Sequence, residues 1–277
     1  MRKEISSNWP YIFWFLFCFM LFWMIAGATP KGFLNVSIIY TASILFALSP
    51  MAESLWRMIS GIRALEINSE TYRLQPLFDE VYAEAQKRDK NLPGNIKLYI
   101  KDDMDINAFA FGRSTLVLTR GSIEMLSDEC LKGLIAHEFG HFSHYDTSVI
   151  LIAYVGNMLM SLLLKCIRGI TKMLLFISRS KDPIFGTCFK ILYNIVNGIY
   201  RGIIFIGDII LMSVSREHEF MADKFAQTCG YGNELADVLN QIHQVSMYRP
   251  ESVIEQLRST HLPLTQRIAR LENLNGE

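Results

Sequence analysis

The sequence predicts a mainly α protein with a small β-sheet, an α+β arrangement attached to transmembrane helices. Three observations lead there. Two uncharged apolar runs stand near the N-terminus, apolar positions recur at helical spacing over much of the remainder, and three short alternating segments cluster between Ile96 and Thr119. The composition agrees, because 51% of the 277 residues are hydrophobic and the mean hydropathy of +0.21 is greasy for a chain wholly surrounded by water.

The 27 basic and 27 acidic residues cancel, so no polyanionic partner is implied and no nucleic-acid role is expected. The five cysteines (Cys18, Cys130, Cys166, Cys188, Cys229) form no CxxC pair, and Cys18 lies in an apolar run. A disulfide framework or a cysteine-held metal is therefore not expected.

The first run extends from Tyr11 to Ala28 and the second from Phe33 to Ala52, with a short ATPKG turn between them. Each is about long enough to cross a hydrocarbon core of roughly 30 Å. Together they read as an N-terminal transmembrane hairpin over 1–52. Arg2 and Lys3 followed by an apolar core and Ala26-Gly27-Ala28 also resemble a signal peptide, but that core is too long and a second span follows at once.

Thr147 to Leu164 and Phe189 to Ser213 are a weaker pair, the second interrupted by Lys190, Asn194, Asn197, Arg201 and Asp208. Region 147–213 is thus expected to be a membrane-associated or transmembrane helix pair. Arg2 and Lys3 before the hairpin and Arg57 and Arg63 after it, against only Lys31 in its turn, place both hairpin ends in the cytoplasm. The segment carrying Lys165, Arg168, Lys172, Arg179 and Lys181 should also stay cytoplasmic. It would be exported if Thr147 to Leu164 spanned, so the later pair is expected to dip into the membrane or lie along it.

The water-facing part divides into 53–146 and 214–277. Glu53 to Arg88 shows helical spacing, and Asn91-Leu92-Pro93-Gly94 is a turn. IKLYI (Ile96 to Ile100), NAFAF (Asn107 to Phe111) and TLVLT (Thr115 to Thr119) read as a small sheet. Ser127 can cap the next helix, LSDECLKGLIAHEFGH, whose buried stripe is Leu131, Leu134, Ile135 and Phe139.

That helix carries HEFGH. Positions four apart lie on one helical face, so His137 and His141 can present imidazoles to one ion with Glu138 beside it. A catalytic zinc site takes three protein ligands. The pattern HExxHxxGxxH would supply a third histidine, but His144 and Thr147 occupy its last two positions. A later helix offers SREHEFMAD, where Glu217, His218 and Glu219 can all ligate. Spacing favours Glu219, because Asp223 follows it by four residues and can accept the spare N–H of a ligating histidine. His144 and Asp146 fit better at the end of the HEFGH helix or supporting the site than as ligands.

GLIAHEFGHFSHYD, SREHEFMAD, DINAFAFGRSTLVLTRGSIEML and STHLPLTQRIARL resemble, in their chain order, motifs of the HtpX-like membrane zinc endopeptidases, gluzincins related to the prenyl-protein proteases of the endoplasmic reticulum. The likeness covers Arg73 to Leu271. Leu262 stands where that family commonly has proline, and His218 occupies a variable position; neither touches the ligand set. The resemblance implies a zincin-like metalloprotease domain, Zn2+ (one per chain) on His137, His141 and Glu219, and Glu138 as the catalytic glutamate.

The function expected is zinc-dependent hydrolysis of peptide bonds, with Glu138 taking a proton from water and passing it to the leaving amine. His261 and Arg267 are candidate oxyanion or substrate contacts. Asn107 marks the start of a strand which, at a sheet edge, would hold an extended substrate by main-chain pairing. Polypeptides, above all membrane proteins under quality control, and the lipid bilayer are the expected partners. The expected location is a bacterial inner membrane with the catalytic domain facing the cytoplasm. Two alternatives are a non-proteolytic scaffold with a structural zinc and a prenyl-protein processing protease, against which the small number of expected spans counts.

Overall fold

Four hydroxyl side chains start helices by giving a backbone N–H the acceptor that the first turn lacks. Thr29 Oγ1 accepts from Gly32 N at 3.0 Å. Ser49 Oγ accepts from Ala52 N at 3.2 Å, Thr119 Oγ1 from Ser122 N at 3.4 Å, and Ser127 Oγ from Cys130 N at 3.2 Å. A computed structural model describes residues 9–65, 69–144, 146–178, 183–247 and 264–274. Its helices are α1 (Trp9–Ile25), α2 (Pro30–Ala47), α3 (Pro50–Ile59), α4 (Ser69–Arg88), α5 (Arg120–Met125), α6 (Asp128–Ser143), α7 (Asp146–Ser178), α8 (Pro183–Thr228), α9 (Gly232–Met247) and α10 (Leu264–Leu274). The strands are β1 (Ile62–Ala64), β2 (Lys97–Lys101), β3 (Ala108–Phe111) and β4 (Thr115–Thr119). The expected mainly α fold with a small sheet is what the chain adopts.

The chain divides into two compact units. One comprises Leu45–Leu151 and the described residues from Val214 onward. Its four strands lie in the order β1-β2-β4-β3, with β2 and β4 parallel and the other pairs antiparallel. β3, the strand read as NAFAF, is therefore an edge. The core between sheet and helices contains Leu74, Phe78 and Val81 of α4, Leu116 and Leu118 of β4, Leu131, Ile135 and Phe139 of α6, and Leu235 and Leu239 of α9. The stripe expected on α6 is buried, and Phe139 stacks on Tyr82 at 5.0 Å.

The other unit comprises the described residues up to Ile44 together with Ile152–Ser213, which means α1, most of α2, and the adjoining parts of α7 and α8. Trp14, Cys18, Met160 and Leu164 form its interior. Gly207 lets α8 close on its neighbours: a Cβ there would lie 2.7 Å from both Trp14 and Asn157. Phe13, Leu16, Ile38, Leu162, Ile195 and Phe205 all point outward. Such an apolar exterior suits lipid rather than water. Among the described residues, Gly186–Ile210 of α8 is long and apolar enough to cross a membrane by itself, and none of its most apolar stretch is buried.

Three local expectations change. Region 53–88 is not one helix, because Gly61, at φ +67°, ends the helical turn and Ile62–Ala64 pairs with β2. The second apolar run breaks at Leu48, where Ser49 caps α3 and Pro50, whose ring disfavours helical backbone just before it, opens the new helix. The basic interval after Leu164 is not a linker: α7 continues through Ser178, so Lys165, Arg168 and Lys172 belong to a helix. Arg179 and Lys181 lie outside the described residues.

Candidate metal centre

Gly140, the fourth residue of HEFGH, sets how closely two helices can approach. A Cβ on it would lie 2.6 Å from Ala222 Cα, so α6 and the C-terminal part of α8 touch with almost nothing between their backbones. Gly133 repeats the device two turns earlier on the same face, where a Cβ would lie 2.6 Å from the Leu235 backbone of α9. Small residues at both crossings hold α6 among its neighbours and bring the side chains beside Gly140 face to face.

Those side chains are His137, His141 and Glu219. One ligand atom from each lies within 4.8 Å of the others. His137 Nε2 is 3.5 Å from Glu219 Oε2, and His141 Nε2 is 3.7 Å from Glu219 Oε1. Ligands about 2.1 Å from a tetrahedral zinc stand about 3.4 Å apart. The donors thus sit close to the corners of such a site. His141 keeps 14% side-chain exposure against 3% for Glu219, so the opening to solvent is on the His141 side. Glu138, next in sequence to His137, is buried.

Asp223, one turn beyond Glu219, lies with Oδ1 2.9 Å from His137 Nδ1. Donation of the Nδ1 hydrogen to this carboxylate leaves Nε2 as the lone-pair nitrogen on the side of Glu219. Burial and the Arg267 charge push the His137 pKa down, but its bonds to Asp223 and Glu219 outweigh them and hold it up at about 9. Burial likewise works to raise the Asp223 pKa, yet Arg267 and His137 keep its carboxyl below the usual range.

Arg267, from α10, closes the cluster from behind. It donates through Nε to Asp223 Oδ2 at 2.9 Å and through Nη2 to Oδ1 at 2.6 Å, and Nη1 lies 2.8 Å from Glu219 Oε2. Burial disfavours its charge, but Glu219, Asp223 and, at longer range, Glu138 hold the guanidinium ionised. Three buried carboxylates face this one guanidinium, so with the His137 imidazole neutral they leave two formal negative charges in a water-poor site. A divalent cation on two imidazoles and a carboxylate would neutralise them, so the donor set and the charge both fit zinc.

Asn107 precedes β3, and its main chain is gripped from both sides. Its N–H donates to Thr119 Oγ1 at 3.0 Å and to Ser122 Oγ at 2.8 Å. Both hydroxyls also lie 2.7 Å from its carbonyl oxygen. His144 ends α6, with its N–H on Gly140 O at 3.2 Å. His261 and the side chain of Glu217 lie outside the described residues. Sequence reasoning did not single out Gly140 or Gly133. A glycine in mid-helix, next to a candidate ligand and matched by an alanine in the partner motif, was the available signal for Gly140.

Two imidazoles four residues apart on a helix, with a glutamate next to the first and a carboxylate from a second helix, form the donor arrangement of a zinc-peptidase type of centre. The chain belongs to peptidase family M48, whose sequence pattern matches residues 68–275 and whose members are zinc-dependent metalloendopeptidases, as the motifs imply. It is similar to a Protease HtpX homolog of Burkholderia lata, 29% identical over 83% of this chain and 86% of that protein. A Protease HtpX homolog of Dictyoglomus turgidum is also 29% identical, over 63% of this chain and 62% of its own length. The fold is similar to the crystal structure of S. mikatae Ste24p, with a TM-score of 0.54 over 95% of this chain and 61% of that one, at 20% identity. The chain therefore spans less than two thirds of some relatives.

Proposed function

We propose that this chain is a membrane-bound endopeptidase that holds one zinc ion on His137, His141 and Glu219 and cleaves polypeptides at the membrane surface. The observation that carries the reading is the convergence of these three donors within 4.8 Å, beside buried Glu138. Zinc bound there supplies Lewis acidity toward water and the scissile carbonyl.

The chain's own residues do the rest. Glu138 takes a proton from the attacking water and delivers it to the leaving amine nitrogen. Asp223 fixes the ring and tautomer of His137, and Arg267 keeps Glu219 and Asp223 in place. The outer edge of β3, next to Asn107, pairs with an extended substrate through main-chain hydrogen bonds, which makes cleavage tolerant of side-chain identity. His261 is the remaining candidate for a donor to the oxyanion.

The outward-facing apolar side chains of α1, α2, α7 and α8 support integral membrane residence, and membrane proteins under quality control are the substrates this suits. Arg57 and Arg63, following α2, favour a cytoplasmic catalytic unit at a bacterial inner membrane. A scaffold with a purely structural zinc has no use for a buried general base beside the ligands, so Glu138 argues for the enzyme. Zinc content of the purified protein tests the ligand set: Glu219→Ala should empty the site and Glu217→Ala should not. The reverse pattern would refute the assignment.

A further inference from the structure

Helix α3 is built with two different faces, and among the described residues only one of them packs against the rest of the protein. On the inner face the Glu53 carboxylate accepts from Arg113 N–H, from Ser114 Oγ at 2.6 Å and from Thr115 Oγ1 at 3.2 Å. It thereby closes the β3–β4 turn. Gly112 makes room for it at φ +62°, where a Cβ would lie 2.1 Å from Glu53 Oε1. Trp56 stacks on Phe111 at 3.9 Å and meets Phe109 edge-on at 5.9 Å. Arg57 donates to Thr115 Oγ1 at 2.7 Å.

The outer face carries Met51, Leu55, Met58 and Ile59, which are 65%, 42%, 71% and 73% exposed. At helical spacing these four fall on one stripe about 100° wide, the width of a face that normally packs against something. No charge interrupts it. The chain itself indicates the partner. α2, the second apolar helix of the N-terminal pair, ends at Ala47, and only Leu48 and Ser49 separate it from Pro50. A helix that starts where a span leaves the bilayer, bare and apolar along one side and anchored on the other, has the form of an interfacial helix.

We propose that α3 lies in the membrane interface with Met51, Leu55, Met58 and Ile59 at the boundary between headgroups and acyl chains, which rests on the reading of α2 as a membrane span. The consequence follows from the inner face. The helix that touches the bilayer also closes the β3–β4 turn and covers Phe109 and Phe111, so the edge strand offered to substrate is held at a fixed depth beside the headgroups. Segments of membrane proteins just outside the bilayer are then the ones presented to β3.

Spin labels on single cysteines placed at Leu55, Met58 and Ile59, in a cysteine-free full-length protein in phosphatidylcholine–phosphatidylglycerol vesicles, test this through collisions with oxygen and with a water-soluble nickel chelate. Ile38 of α2 and Tyr72 of α4 serve as bilayer and water references. The α3 labels should be richer in oxygen contact and poorer in nickel contact than Tyr72, at a depth short of Ile38. Nickel contact equal to Tyr72 overturns the proposal, as does a depth equal to Ile38. Shielding from both reagents also overturns it, because a protein partner or a second copy then covers the stripe. Ile38 in water refutes the span reading and this proposal with it, whereas Ile38 in the bilayer with α3 in water refutes only this proposal.

Discussion

His137 Nδ1 and Asp223 Oδ1 stand 2.9 Å apart, and that contact decides which ring nitrogen is left for a metal. Asp223→Ala should weaken zinc binding about 10–100-fold, as loss of a carboxylate behind a ligating histidine does elsewhere. Competition against a chromophoric chelator measures it. An affinity equal to wild type would make the contact incidental to the metal.

Much of this site was legible because its signals are local. Four-residue spacing on a helix places His137 and His141 together, and the same spacing singles out Glu219 through Asp223. Arg267 was a candidate for the substrate side, but it points at the carboxylates instead. Its place depends on how α10 packs, which no spacing within a motif encodes. Ile62–Ala64 was hidden for a similar reason: three residues become a strand only because β2 is there to pair with them. Glu53 only opens a stretch of helical spacing in the sequence, and its burial against Arg113, Ser114 and Thr115 depends on partners about sixty positions away.

Gly140 offers a test of how the ligand helices meet. Gly140→Ala places a methyl group 2.6 Å from Ala222 Cα, where only backbone can give way. Overpacking of this kind costs about 1–3 kcal/mol, and here the strain acts on the helix that carries Glu219. Lower Tm together with reduced zinc occupancy is expected, with a larger effect for Gly140→Val. Unchanged zinc content in both variants would show that the close approach is not needed for ligation.

Helix length bears on topology. The 33 residues of α7 span about 50 Å and the 46 residues of α8 about 70 Å, against a hydrocarbon core of roughly 30 Å. Unbroken helices of that length fit spanning better than dipping in and out. A single cysteine at Lys172, in a cysteine-free background, should then be labelled by an impermeant thiol reagent added to intact cells. Labelling only after the cells are opened would return this end of α7 to the cytoplasmic side and restore a re-entrant or surface-lying pair.

The central claim is that this is a peptidase centre in which Glu138 moves the proton. Glu138→Gln keeps the size and burial of the side chain and removes only the base. Cleavage of an unfolded protein substrate by the purified full-length enzyme should fall by about 10²–10⁴-fold, with zinc content and Tm at wild-type values. Turnover near wild type in Glu138→Gln, with the metal in place, would contradict the account.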